Sequence, residues 1–198
     1  MLKHSKVVMG MDAGYRKLGL SVFRSSAEID VLLEADTVEN PPSKDNDYVM
    51  QEDILGCWKL ATGLDRLLIK YHPDAVFIEM PHGGGQGARA HRCMGMVTGV
   101  MTSVFYQHQG IYFKMFSPRE VEESLGIKAK PGEGKGSKGA KRAEKKKRIQ
   151  EIVLASYPDF KGWPHTKRLL EDAADSVAAV LAARSSGEIA KLFEKEVK

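Results

Sequence analysis

Four acidic residues of this 198-residue chain occur at positions suited to binding metal ions. Asp12 ends the first apolar stretch of the sequence, and Glu79 ends a later one. Asp172 and Asp175 are three residues apart in a segment with helical periodicity, so they share one helix face. A half-buried aspartate pair is costly without a neutralising cation, and Mg²⁺ prefers oxygen ligands. All four acids could together hold two ions about 4 Å apart, as in two-metal phosphodiester hydrolysis.

The predicted strands bring the first two of these acids together. Residues 5–12 and 18–24 are interpreted as a hairpin, with Gly19 turning the chain into its second strand. Residues 75–79 form a short apolar strand that follows a helix, and such a strand most simply pairs parallel to the first. The two acids would then lie side by side at the carboxyl ends of neighbouring strands, where ligands bind in open α/β sheets.

The rest of the sequence also alternates between strand and helix patterns, which predicts a single α/β domain over residues 1–198. The helix before the strand at 75–79 is expected to bury one stripe, formed by Ile54, Trp58, Ala61, Leu64, Leu68 and Tyr71. The other predicted elements are a strand over 29–38, a helix over 89–106, a strand over 111–116, a short helix from Pro118 to Leu125 capped by Ser117, and helices over 143–156, 169–184 and 186–197.

The composition is typical of a soluble globular protein, with 42% hydrophobic and 28% charged residues. The sequence has no apolar run of the roughly 18 residues that a membrane span needs, and its start lacks the pattern of a signal peptide. Cys57 and Cys93 are too few for a disulfide framework or a zinc site, so they are expected to be small core residues. These features predict a cytoplasmic location.

Two glycines in the helix predicted over 89–106 indicate a close approach by another element. Gly95 and Gly99 lie one turn apart on the same face, and glycine inside a helix costs about 1 kcal/mol relative to alanine. The approaching element is either a second copy of this helix or the sheet of the same subunit.

A strongly basic segment lies between Lys128 and Arg148. It contains ten basic residues and two glutamates, a formal charge of +8 in a chain whose total is +4. An acidic body with one basic arm indicates a polyanionic partner, although a solvated linker is the alternative. Its first part, about 128–141, is rich in glycine and lysine and is predicted to be a mobile loop.

Three stretches of the chain resemble the RuvC family of Holliday junction resolvases. They are Met11-Asp12-Ala13-Gly14-Tyr15-Arg16, His72-Pro73-Asp74-Ala75-Val76-Phe77-Ile78-Glu79 and Glu171-Asp172-Ala173-Ala174-Asp175-Ser176, and their order and spacing match the family. The resemblance implies a ribonuclease H-like fold, with a five-stranded mixed sheet flanked by helices. It also implies a Mg²⁺-dependent crossover junction endodeoxyribonuclease, active as a homodimer on four-way and related branched DNA.

The resemblance assigns roles to individual residues. Asp12, Glu79, Asp172 and Asp175 become the catalytic acids that bind two Mg²⁺ ions, for which Mn²⁺ would substitute. Lys146 corresponds best to a catalytic lysine, with Lys145 and Lys147 as close rivals, and the helix over 89–106 corresponds to the dimer interface. Residues of the same rim and of the basic segment are candidate DNA contacts, namely Arg16, Lys17, His82, Arg89, Lys128, Lys130, Lys135, Lys138, Lys141, Lys145 and Lys147.

The chain also departs from bacterial members of the family. His82 and three glycines occupy a loop where those members often carry an aromatic residue, Glu122 falls near the place of another lysine, and the basic insert is longer. These departures are typical of a phage-encoded or other divergent member, which would act in the host cytoplasm. A YqgF-like RNA-processing nuclease shares the fold and the acids, whereas an actin-like or sugar-kinase-like ATPase would need a second lobe.

Overall fold

The computed structural model describes residues 5–41, 48–80, 87–127 and 138–194, with the backbone alone at 138–142. Its elements in chain order are β1 (Lys6–Ala13), β2 (Lys17–Ser25), β3 (Asp30–Glu39), α1 (Val49–Tyr71), β4 (Ala75–Glu79), α2 (Ala88–Gln107), β5 (Tyr112–Phe116), α3 (Pro118–Ser124), α4 (Lys138–Ser156), α5 (Lys167–Ser185) and α6 (Glu188–Glu194).

Within these ranges the strands form a mixed sheet in the order β3-β2-β1-β4-β5. The first three strands form an antiparallel meander, and β4 and β5 pair parallel to β1 and to each other. This arrangement confirms the predicted five-stranded α/β fold. The register aligns the Cα atoms of Asp12 and Glu79 across β1 and β4, so these residues lie side by side as predicted.

The two faces of the sheet pack against different helices. Met11 and Ile78 belong to the apolar core under α1 and α2, while the opposite face carries the core under α3 to α6. Side chains alternate between the faces of a strand. Asp12 and Glu79, each next to one of these residues, therefore project from the face that α5 covers.

Helix α5 approaches this face closely because two strand residues lack side chains. A Cβ atom at Gly10 would collide with the carbonyl oxygen of Ser176, and one at Gly19 would collide with that of Asp172. The prediction that Gly19 is a turn residue is wrong, since it lies inside β2 and pairs with Asp12. Its function is instead to admit the backbone of α5, whose buried face is rich in alanine.

The buried face of α1 differs from the predicted stripe. Leu64 and Leu68 are buried as expected, but Ile54 and Trp58 are 53% and 68% exposed. The residues that face inward are Asp53, Gly56, Cys57, Leu60, Leu64, Leu67 and Leu68. Gly56 on this face lets α1 approach Asn40 closely, and Trp58 lies outside the buried face. The prediction of Trp58 as a core residue is therefore wrong.

Helix α4 begins at Lys138, five residues before the predicted start at Ala143. The last residues of the predicted 128–141 loop are therefore helical, because alanine, lysine and arginine after Gly139 favour helix. The predicted mobility of the remainder concerns residues outside the described ranges.

Two smaller predictions, the Ser117 cap and the burial of both cysteines, are confirmed. Ser117 and Glu120 form a capping box at the start of α3, with a proline in its first turn. Cys57 and Cys93 are both buried. Across the described helices, none is long and apolar enough to cross a membrane.

Candidate active site

Four carboxylates converge where β1 and β4 end beneath α5. Asp12 and Glu79 are register partners on the covered face of the sheet. Asp172 and Asp175 lie on the first turns of α5, which the glycines of β1 and β2 bring against the strands. Asp175 is buried, at 5% exposure, and the other three acids are partly buried. The tertiary structure thus brings all four predicted acids to one end of the sheet.

The protein environment disfavours the ionised form of Glu79. Burial, followed by the negative charges of Asp12 and Asp175, raises the pKa of Glu79 to about 8. Its Oε2 atom is buried and has no hydrogen-bond partner among the described residues. A buried carboxylate oxygen without a partner is unfavourable, so this atom is oriented for a ligand that supplies positive charge or a hydrogen bond.

Lys146 faces the acidic cluster from α4. Its Nζ atom donates a hydrogen bond to Oδ2 of Asp175 at 2.8 Å. Burial alone would lower the pKa of Lys146, but the carboxylate of Asp175 outweighs this and raises it, so the ammonium group stays charged. The two rival lysines face other partners, since Lys145 pairs with Glu122 and Lys147 with Glu151.

A second lysine reaches the cluster from β2. Lys17 forms an ion pair with Asp172, and its Nζ atom also donates to the carbonyl oxygen of Arg168 at 3.0 Å. The sequence placed Lys17 among the DNA contacts. In the fold its ammonium group neutralises a catalytic candidate, because Gly19 brings the start of β2 against the start of α5.

Glu122 of α3 is a fifth acid near the site that the sequence analysis did not assign. Its charge contributes to the raised pKa of Glu79, and its carboxylate pairs with Lys145. The sequence offered one signal, because α3 begins two residues after the strand that pairs with β4. A helix in that position starts at the same rim as the acids.

The other predicted DNA contacts fall into three groups. Arg16 and Arg89 form ion pairs with Glu52, and Arg89 also pairs with Asp53. Lys138 and Lys141 lie on the backbone of α4, where the side chains are not described. The last group lies outside the described ranges, and it consists of His82, Lys128, Lys130 and Lys135.

The chemistry of the donor set suits a hard divalent cation, because all four acids offer carboxylate oxygens. In this arrangement ammonium groups lie against two of them, Lys17 on Asp172 and Lys146 on Asp175. The four acids lie at the same end of the sheet, but within the described part of the chain no three acidic, histidine or cysteine side chains are close enough together to form a ready coordination sphere. The donor atom most open to a cation among the described residues is therefore the buried Oε2 of Glu79.

Comparison with solved structures identifies the fold. Thermus thermophilus RuvC, solved in complex with a Holliday junction substrate, superposes with a TM-score of 0.66 at 17% identity, over 92% of this chain and 96% of that one. A second Thermus thermophilus RuvC structure gives 0.63 at 20% identity, over 93% and 96% of the two chains. The chain has the RuvC fold.

A more distant structure shares the RuvC fold with this chain. The yeast mitochondrial Holliday junction resolvase superposes with a TM-score of 0.56 at 12% identity, covering 96% of this chain and 84% of its own. No protein-family model and no curated protein sequence matches the chain. The chain therefore shares this fold with structures that are 12 to 20% identical to it in sequence.

Proposed function

We propose that this protein is a metal-dependent endonuclease that resolves Holliday junctions and related branched DNA as a homodimer in the cytoplasm. The observation that carries the proposal is the convergence of Asp12, Glu79, Asp172 and Asp175 at one end of a RuvC-fold sheet. One of the similar structures is a Holliday junction resolvase by its own title, and another contains a Holliday junction substrate. Neither the RNA-processing nuclease nor the ATPase alternative has comparable support.

Asp12, Glu79, Asp172 and Asp175 would together hold two Mg²⁺ ions. When bound, such ions supply the positive charge that activates water and stabilises the leaving oxygen in phosphodiester hydrolysis. The buried, unpartnered Oε2 of Glu79 and the raised pKa of that residue support this assignment. Lys17 and Lys146 each contact Oδ2 of an α5 acid, so coordination of a metal through both oxygens of either acid would require that lysine to withdraw.

After withdrawal, each of the two lysines can bind a different anion. An ammonium group displaced from Asp175 or Asp172 remains within reach of the same cluster, because its side chain is anchored on α4 or β2. A phosphate entering the site offers it a new anionic partner. Lys146 is thereby positioned to stabilise the charge that develops on the phosphate during cleavage.

A cleavage assay tests the proposed function directly. Purified protein is incubated with labelled four-way, three-way, flap and linear DNA in Mg²⁺, in Mn²⁺ and in EDTA, and the cut positions are mapped. We expect symmetric cuts on opposed strands of the four-way junction with either metal, and no cleavage in EDTA. Cleavage of linear DNA at the same rate, or cleavage in EDTA, would contradict the proposal.

The exposed glycines of α2 support the dimer. Both Gly95 and Gly99 are exposed, and a Cβ atom on either would have no neighbour within 4 Å. Of the two approaching elements that the sequence allowed, the sheet of the same subunit is therefore excluded. A second copy of α2 fits this small-residue face, and two-fold dimers are the commonest oligomers and suit a two-fold junction.

Replacing both Gly95 and Gly99 with glutamine should break this dimer without unfolding the chain. Each change removes a helix penalty of about 1 kcal/mol, so the melting temperature of the monomer should not fall, while the larger side chains block close helix approach. Light scattering at micromolar concentration should give twice the chain mass for the wild type and one chain mass for the variant. The control is Ala155→Gln, on the exposed side of α4. A wild-type monomer, with and without DNA, would contradict the prediction.

The basic segment is proposed to bind DNA phosphates. Neutralising Lys135, Lys138 and Lys141 with glutamine should weaken binding to all branched DNAs about equally, because phosphate contacts carry no sequence information. Each lost contact flattens the dependence of log affinity on log salt by about 0.9, so the slope should fall by up to about three units. The matched control neutralises three exposed cations elsewhere, Arg24, Lys59 and Lys161. An unchanged slope in the first variant would make the segment a solvated spacer.

A further inference from the structure

Asp53 is a buried carboxylate to which the proposed mechanism gives no role. Its side chain is fully buried in α1. Its Oδ1 atom accepts hydrogen bonds from the Tyr15 hydroxyl at 2.8 Å and from Nη2 of Arg89 at 2.8 Å, and its Oδ2 atom accepts one from Nη2 of Arg92 at 2.6 Å. Burial alone would raise the pKa of Asp53, but these donors hold it well below its usual range, so the carboxylate stays ionised.

Glu52, the neighbouring residue of α1, extends this network. Its two carboxylate oxygens accept hydrogen bonds from Nη1 of Arg16 at 3.0 Å and from Nη2 of Arg89 at 2.8 Å. Three guanidinium groups thus surround two carboxylates, which leaves an excess of one positive charge. The acids are nearly or fully buried, whereas the side chains of Arg16, Arg89 and Arg92 are 36 to 43% exposed.

The cluster lies between the two elements that deliver the sheet acids. Tyr15 and Arg16 form the turn directly after the strand of Asp12, and the turn is also held by Asn40, whose Nδ2 donates to the carbonyl oxygen of Tyr15 at 3.2 Å. Arg89 and Arg92 lie on the first turns of α2, the next element after the strand of Glu79. The cluster therefore lies at the same end of the sheet as Asp12 and Glu79, on the side of α1 and α2, which is the opposite face from α4.

We propose that Glu52 and Asp53 are the base of a DNA-phosphate site in which Arg16, Arg89 and Arg92 are held as fixed donors. The proposal rests on the proposed function, because it takes the ligand to be a strand that enters the neighbouring acidic site. A guanidinium group presents several donors in a planar fork, so fixing one edge on a carboxylate orients the other edge for an oxygen anion. Arginines held this way lose less conformational entropy on binding than mobile lysines do.

The test measures the affinity of labelled four-way junction and of duplex DNA as a function of KCl, in EDTA to prevent metal-dependent cleavage. The variants are Arg89→Gln, Arg92→Gln and Asp53→Asn. Each arginine change should flatten the salt slope by about 0.9, equivalent to one phosphate contact. Asp53→Asn should weaken junction binding although it makes the protein less negative, because Arg89 and Arg92 lose their fixed orientation.

Asp30 and Arg184 provide matched controls. Nε of Arg184 donates to Oδ2 of Asp30 at 2.8 Å, and Asp30 pairs with the end of β2, at the opposite end of the sheet from Asp12. Arg184→Gln and Asp30→Asn remove a comparable ion pair there, so they should leave the slope and the affinity unchanged. The melting temperatures of the variants show how much the substitutions at each of the two sites destabilise the protein.

Two results would overturn the proposal. One is an unchanged slope in both arginine variants. The other is tighter binding by Asp53→Asn, which would make Asp53 a counterion that restrains the arginines. If Asp53→Asn does not fold, the arginine variants decide, because each leaves Asp53 another donor. Cleavage of the junction by the wild type is scored separately, so the arginine site and the proposed function can fail independently.

Discussion

Replacing Asp12 with asparagine is expected to abolish strand cleavage while binding of four-way junctions survives. The amide is nearly isosteric with the carboxylate but is a weaker ligand for Mg²⁺. Loss of groups that merely support metal ligands costs 10- to 100-fold in many sites, so loss of a ligand itself should lower the rate by more than about 100-fold. Asp175→Asn should behave in the same way, because the two residues occupy the same cluster.

The melting temperature of Asp12→Asn distinguishes a loss of catalysis from a loss of folding. Asp12 raises the pKa of its register partner Glu79, so removing its charge relieves repulsion inside the cluster. We therefore expect the melting temperature of Asp12→Asn to be retained. Asp159→Asn, at an exposed loop position, is the control for the chemical change. Cleavage by Asp12→Asn at the wild-type rate would show that Asp12 is not a metal ligand and would contradict the nuclease assignment.

Replacing Lys146 with methionine should slow cleavage by about 100- to 1,000-fold, the range for loss of one group that stabilises developing charge. Junction binding should change by only a few-fold, because Lys146 lies within the acidic cluster and not on the outer surface of α4. In the wild type the pKa of Lys146 is raised, so its ammonium group stays charged at all working pH values. Changing the pH should therefore not restore the cleavage rate of the methionine variant relative to the wild type.

Lys147→Met is the control for Lys146→Met. Lys147 is the next residue of α4, but its side chain is 76% exposed and pairs with Glu151 on the same helix. Single-turnover cleavage and anisotropy binding should be measured on both variants. Equal defects in the two variants, or a loss of affinity at Lys146 as large as the loss of rate, would show that this lysine acts by general charge alone.

The sequence by itself determined the sheet and the two acids that end its strands. Strand side chains alternate with a period of two, and the strand that follows the crossover helix most simply pairs parallel to the first strand. Both rules operate on short or regular segments, so the pairing of Asp12 with Glu79 follows without knowledge of any other contact. Helical periodicity likewise places Asp172 and Asp175 on one face of α5.

The buried face of α1 is a feature that such rules predicted incorrectly. Periodicity predicted Trp58 in the core and did not include Asp53 in the buried stripe, whereas in the structure Trp58 is exposed and Asp53 is buried. Asp53 is buried because its partners Arg89 and Arg92 lie 36 and 39 residues away on another helix. A hydrophobicity pattern assigns each residue by its own type, so it does not detect a charge whose burial depends on distant opposite charges.

Only the tertiary structure decided how the lysines meet the acids. Lys17 reaches Asp172 across 155 residues, because Gly19 lets the backbone of α5 lie against β2. Lys146 was one of three adjacent candidates, and the rotation of α4 turns its side chain toward Asp175 while Lys145 and Lys147 face elsewhere. Close approach and helix rotation result from packing across the whole domain, and for this reason no local pattern encodes them.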